Sequence, residues 1–271
     1  MTLRIQDIRI QDIWAELAER LPLHLQESYD NCGLQVGDPS IPATGVLCCV
    51  DITEAVLEEA LAKGCNMIIA HHPLLFKGLK CISTGSYIQR CVTFALRHEL
   101  IIYAAHTNAD NAPAGLNYLL AEDLGLQQVQ ALLPRYPDDV FTGSGIIGML
   151  PEPIALEEWL RQIEAYFQTR QLRYSRTNKT SVQRVAICGG AGAFLWERAR
   201  DVGADALLTG EAKYNDYFDC EGSPILVTVG HYESERIAAT LFAEVISQKF
   251  STFAVYESEL DSNPIKALQH L

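Results

Sequence analysis

The chain has 271 residues, 48% of them hydrophobic and 20% charged. That balance excludes disordered, collagen-like and coiled-coil classes and fits one large α/β unit or two ordinary domains. Its 21 basic and 34 acidic residues leave a formal charge of −13, a field that repels phosphate backbones and argues against nucleic acid as a partner.

The first residues, Met1 to Asp7, carry charges where a secretory leader would be apolar. No apolar run reaches the length of a membrane-spanning helix. Together these predict a cytoplasmic chain with no membrane partner. The pentapeptide Arg4–Ile8 is echoed by Arg9–Ile13, but a period of five fits neither helix nor strand, so it is read as accidental. Apolar positions over 8–21 then predict a helix. A strand follows at 45–50, a helix over 53–63 closed by Gly64, and a strand at 67–70. Beyond them come a helix over about 86–98 and a buried strand at 100–105.

Prolines 134, 137, 151 and 153 break the stretch from about 128 to 180, which is expected to be irregular around one helix at 155–168. Regular alternation resumes with a strand at 182–188, a helix at 194–202, and strands at 206–209 and 225–229. One long helix at 232–249 and a strand near 252–257 close the chain. Strands alternating with helices imply βαβ units and mixed, largely parallel sheets. Residues 57–72 can be laid over 196–211, with Gly64 on Gly203 and His72 on Glu211. That match suggests two similar lobes that face one another, with a site drawing on strand ends from both. The eight cysteines, at 32, 48, 49, 65, 81, 91, 188 and 220, form no C-x-x-C pair. They read as buried, reduced thiols.

Three segments carry chemistry, each just beyond the carboxyl end of a predicted strand. Ala70-His71-His72-Pro73 places two imidazoles at a strand end, where Pro73 keeps His72 extended and both rings can reach one cleft. Ala105-His106-Thr107-Asn108-Ala109-Asp110 supplies His106 and Asp110, or a polar loop with Asx turns. Gly230-His231-Tyr232-Glu233-Ser234-Glu235 places His231 and Glu235 one helical turn apart, where they can chelate a cation or serve a helix start. Such a set is too large for one tetrahedral zinc and suits two divalent ions with a bridging carboxylate. Two glycine motifs have weaker claims. Gly143–Gly148 has G-x-G-x-x-G spacing, yet Pro151 and Pro153 stand where a helix should start, so a closely packed strand is expected there. Cys188-Gly189-Gly190-Ala191-Gly192 is either a tight βα turn or an amide cradle for an anion.

Tyr29–Gly37, Ala70–Lys77, Ala105–Asp110, Cys188–Gly192, Thr209–Glu211 and Gly230–Glu235, taken in order, resemble the GTP cyclohydrolase I type 2 homolog family. These are also called the Ngg-interacting-factor-three-like proteins. The resemblance implies a short form without an inserted domain: two interlocked α/β lobes, 1–120 with 242–271 and 121–241, and a dinuclear metal site in the cleft between them. It places the ligands on His71, His72, Asp110, His231 and Glu235, moves His106 behind them, and implies ring-shaped homohexamers. Tyr29 replaces a usual Trp, and Asn215 stands where many members have His, which removes a proton-transfer group. The expected function is a metal-dependent hydrolase of a nucleotide-like or other small substrate, with His106 or Lys77 handling protons or charge. The alternative is a non-enzymatic metal-binding scaffold. Zinc, iron, manganese, cobalt and nickel all suit such ligands, and no organic cofactor is implied.

Overall fold

The computed structural model describes residues 8–266; the charged start and the first four residues of the pentapeptide echo lie outside them. The described residues form two compact units, one comprising Ile8–Ala109 with Ala238–Ser262, the other Asp110–Ile237 with Asn263–Lys266.

The first unit opens with α1 (Ile10–Arg20), β1 (Gly33–Val36), β2 (Val46–Cys49), α2 (Glu54–Ala62), β3 (Met67–Ala70), α3 (Tyr87–Arg97) and β4 (Ile101–Ala104). Every residue of β2, β3 and β4 is buried. That is why each reads as an unbroken apolar run: a parallel strand covered on both faces has no polar side. Helix α2 starts where the Thr53 side chain accepts the Val56 amide, and α3 at a Ser86/Gln89 capping box. Leu47, Ile68 and Ile102 pack with Val56 and Leu57 of α2 and with Cys91 and Val92 of α3.

The second unit runs through α4 (Thr107–Asn111), which spans the boundary between the units, then α5 (Leu116–Asp123), β5 (Gln127–Tyr136), β6 (Asp139–Ala155), α6 (Leu156–Phe167), β7 (Arg173–Tyr174) and β8 (Ser181–Cys188). It continues with α7 (Trp196–Asp201), β9 (Ala206–Thr209), α8 (Asp216–Asp219), β10 (Ile225–Thr228) and α9 (His231–Glu235). The chain then returns to the first unit as α10 (Ala238–Lys249), which packs on β2 and β3, and β11 (Val255–Glu257).

The sheets have strand orders β1-β4-β3-β2-β11 and β5-β6-β8-β9-β10-β7. In each, three parallel strands (β2-β3-β4 and β8-β9-β10) end in an antiparallel partner that precedes them in the chain, β1 on β4 and β7 on β10. Gly64 and Gly203, matched in the internal comparison, both have φ of 73° in open surroundings. Two similar α/β units are therefore present, with mixed sheets.

Two expectations are corrected. The proline-rich middle is not irregular: β5 and β6 form a long antiparallel hairpin. Pro134 sits on the edge strand opposite Gly143, and Pro151 and Pro153 fall where the β6–β8 register shifts between Met149 and Ile154. These are the places where a missing amide costs no ladder bond. Gly143–Gly148 lies within β6, and a Cβ at Gly143 would run into the Leu133 carbonyl oxygen, so this glycine marks close backbone approach. The predicted helix over 232–249 is two helices, interrupted at Arg236 and Ile237, where the chain leaves the second unit. The Arg236 guanidinium there is bound to the Tyr166 carbonyl.

All eight cysteines are free thiols, six of them buried; Cys32 is half-buried and Cys81 exposed. Burial pushes the Cys65 and Cys91 thiols up to about 11 and Cys220 to about 12, which keeps them protonated and inert. No helix among the described residues is long and apolar enough to cross a membrane.

Candidate metal centre

In the first unit, the carboxyl ends of β2, β3 and β4 each deliver one polar segment. Beyond β3, His71 is fully buried, and its Nδ1 lies 2.9 Å from the Ala105 carbonyl oxygen. A carbonyl only accepts, so Nδ1 carries the proton and the Nε2 lone pair is left for a ligand role. His72 Nδ1 lies 2.7 Å from Asp51 Oδ1, just past β2, and His106 Nδ1 lies 2.9 Å from Asp30 Oδ1, just beyond β4. Both carboxylates accept, so these rings too present Nε2. The ring centroids of the three imidazoles are 5.1–5.4 Å apart, and their ligand atoms lie within 4.8 Å of one another. A group so spaced could hold a metal ion, and a carboxylate or carbonyl behind each ring is the usual support of a metal-binding histidine.

Asp30 is itself tightly held. Burial raises its pKa, but the His106 and Thr107 hydrogen bonds outweigh that and hold the carboxyl well below the usual range. The Thr107 amide and hydroxyl both donate to Asp30 Oδ2. His106 is thus fixed by a permanently ionised acid. Lys77 lies exposed in the bend after β3, and among the described residues it makes no hydrogen bond or ion pair to the imidazoles.

The second unit repeats the device. His231 opens α9 just past β10, separated from the strand by Val229 and Gly230, and His106 stands just past β4, separated from it by Ala105. Both are followed four residues on by an acid, Asp110 and Glu235 respectively. Glu235 is buried, with Oε2 3.1 Å from His231 Nε2, and Glu211, just past β9, brings Oε1 to 3.4 Å from His231 Nδ1. Burial pushes the Cys188 thiol far up, and the charges of Asp110 and Glu235 push the same way.

The Cys188–Gly192 segment is a tight turn with no anion cradle. The Gly189 amide donates to Asn117 Oδ1, the Gly190 amide to Ser234 Oγ and the Gly192 amide to Thr209 Oγ1. What the turn provides is room. Gly190 has φ of 60°, and a Cβ there would meet Glu235 Oε1 and approach His231 Nε2.

Sequence reading passed over Asp51 and gave Asp30 no role. Asp51 stands just beyond β2, the same kind of strand end that singled out the histidines, so that rule applied to every strand would have found it. Asp30 follows no such strand and needed the fold. Asp51→Asn is expected to weaken metal affinity about 10–100-fold without unfolding the chain, as read by metal titration beside a thermal melt; unchanged affinity would show that His72 needs no orienting acid.

The family described as Duf34/NIF3 (NGG1p interacting factor 3) matches residues 8–264. A Lactococcus lactis protein called GTP cyclohydrolase 1 type 2 homolog is 31% identical over 265 residues, covering 95% of this chain and 98% of its own. A Nostoc sp. protein of the same description is 35% identical over 218 residues, covering 79% and 81%. A Staphylococcus aureus hypothetical protein of known crystal structure superposes with a TM-score of 0.90 at 25% identity, covering 96% of this chain and 99% of that one.

Proposed function

Because this chain belongs to the Duf34/NIF3 family, we propose that it is a metal-dependent hydrolase of a nucleotide-like or other small substrate. In this reading His71, His72, Asp110, His231 and Glu235 hold two divalent ions. The observation that carries it is a set of three imidazoles, the proposed ligands His71 and His72 with His106 behind them, whose Nδ1 atoms all face fixed acceptors and which each bring a ligand atom within 4.8 Å of the others. Structural histidines have no reason to share one tautomer and one meeting point. Bound divalent ions supply Lewis acidity and an acidified water.

The chain's own groups do the rest. Asp51 and Ala105 hold the His72 and His71 rings in their binding tautomer. Asp30 keeps His106 aligned, so that its Nε2 can accept or return a proton at the reacting group. Glu235, the buried acid, would be the ligand that the two ions share, and Asp110, His71, His72 and His231 would complete the set. The curated relatives' description points to ring opening of GTP, and ring-shaped homohexamers belong to the same reading.

Metal-loaded protein incubated with GTP and followed by mass spectrometry tests it. Product should form with wild type and fall to background with His72→Ala, and sedimentation should give a hexamer's mass. Metal bound without any turnover would favour the scaffold reading instead.

A further inference from the structure

The second unit contains a cavity of about 800 Å³ that the metal centre does not use, formed where β7 and the segment after it face the loop and helix between β9 and β10. Its walls bring Arg173 and Arg176 together with Tyr174, Tyr214, Tyr217 and Phe218. Glu221 is the one acidic residue on the wall, so a chain of charge −13 has here a locally positive pocket. Neither arginine forms an ion pair among the described residues. The aromatic wall is built rather than loose. Tyr217 is anchored by its hydroxyl 2.7 Å from Thr228 Oγ1, and the Tyr214 and Phe218 rings meet edge to face at 5.3 Å. Yet Tyr214 is 77% exposed and Phe218 65%, so both present free ring surface.

Large exposed aromatic faces beside unpaired guanidinium groups fit a ligand that stacks at one end and is anionic at the other. The volume lies within the roughly 300–1,000 Å³ range of small-ligand sites, and the concave shape and positive charge favour a small anion over a second copy of this acidic chain. We propose that this cavity binds a planar aromatic anion of nucleoside-monophosphate size. Sequence reading could not find it, because its two walls lie some forty positions apart and carry no motif. The proposal does not rest on the metal centre.

Calorimetric titration of the metal-loaded protein with GMP, guanosine and inorganic phosphate tests it. GMP should saturate, and guanosine and phosphate should each bind at least about tenfold more weakly. The double substitution Arg173→Ala/Arg176→Ala should weaken GMP by about tenfold or more, with metal content and thermal unfolding unchanged. Phe218→Ala should weaken both GMP and guanosine. GMP binding should persist in Glu235→Ala, which separates this cavity from phosphate capture by metal. Absent GMP binding, or binding indifferent to the arginine and Phe218 substitutions, overturns the proposal; so does self-association that depends on those residues in place of ligand binding.

Discussion

Glu235→Ala is expected to lower bound metal from two ions per chain to one or none and to reduce turnover by more than about a hundredfold, beyond the loss usual for a residue that only orients a ligand. The carboxylate is buried at 3% exposure and sits 3.1 Å from the His231 imidazole. In the proposed reading this ligand would serve both ions at once, and no neighbour would replace it. Truncation also relieves a buried acid of its desolvation cost, so the fold should survive. Elemental analysis of untagged protein, beside a thermal melt, reads both effects. Glu235→Gln keeps the shape and loses the charge, and should lose metal almost as completely. Full metal occupancy in either variant would remove Glu235 from the ligand set.

Gly190→Ala is expected to lose metal nearly as severely, although residue 190 offers no ligand atom. Its φ of 60° is one that an L side chain adopts at a cost of about 1 kcal/mol. The added methyl would also collide with Glu235 Oε1, and so push the acid from its place. Gly203→Ala separates the two causes. That glycine has φ of 73° with nothing within 4 Å of an added Cβ. It should cost about the same 1 kcal/mol of stability and leave metal content untouched. If both variants keep their metal, the Cys188–Gly192 turn has no part in shaping the site.

Legibility followed the range of the interactions. The strand at 67–70 and its His71-His72 end were plain because a parallel strand buried on both faces must be apolar throughout and its side chains must stop being apolar where it emerges. His231 and Glu235 were plain because four positions make one helical turn. The β5–β6 hairpin was hidden because its prolines look like breakers until their edge and bulge positions are known. The break at Arg236 was hidden because no glycine or proline marks it; it follows from the chain passing from one unit to the other. The cradle reading of Cys188–Gly192 failed for a related reason: Asn117, Thr209 and Ser234, which occupy its amides, lie 17 to 72 positions away.

Family, α/β class and the residue types that could hold a metal were therefore already written in the order of the amino acids, since each depends on local periodicity or on short motifs. The tautomers were not. Which nitrogen of each imidazole is left for a ligand depends on Asp51, Ala105 and Asp30, partners 21, 34 and 76 positions distant. An aromatic, arginine-walled cavity likewise exists only once β7 has paired with β10. Contacts of that reach are set by the pairing of strands, and no local pattern of side chains encodes them.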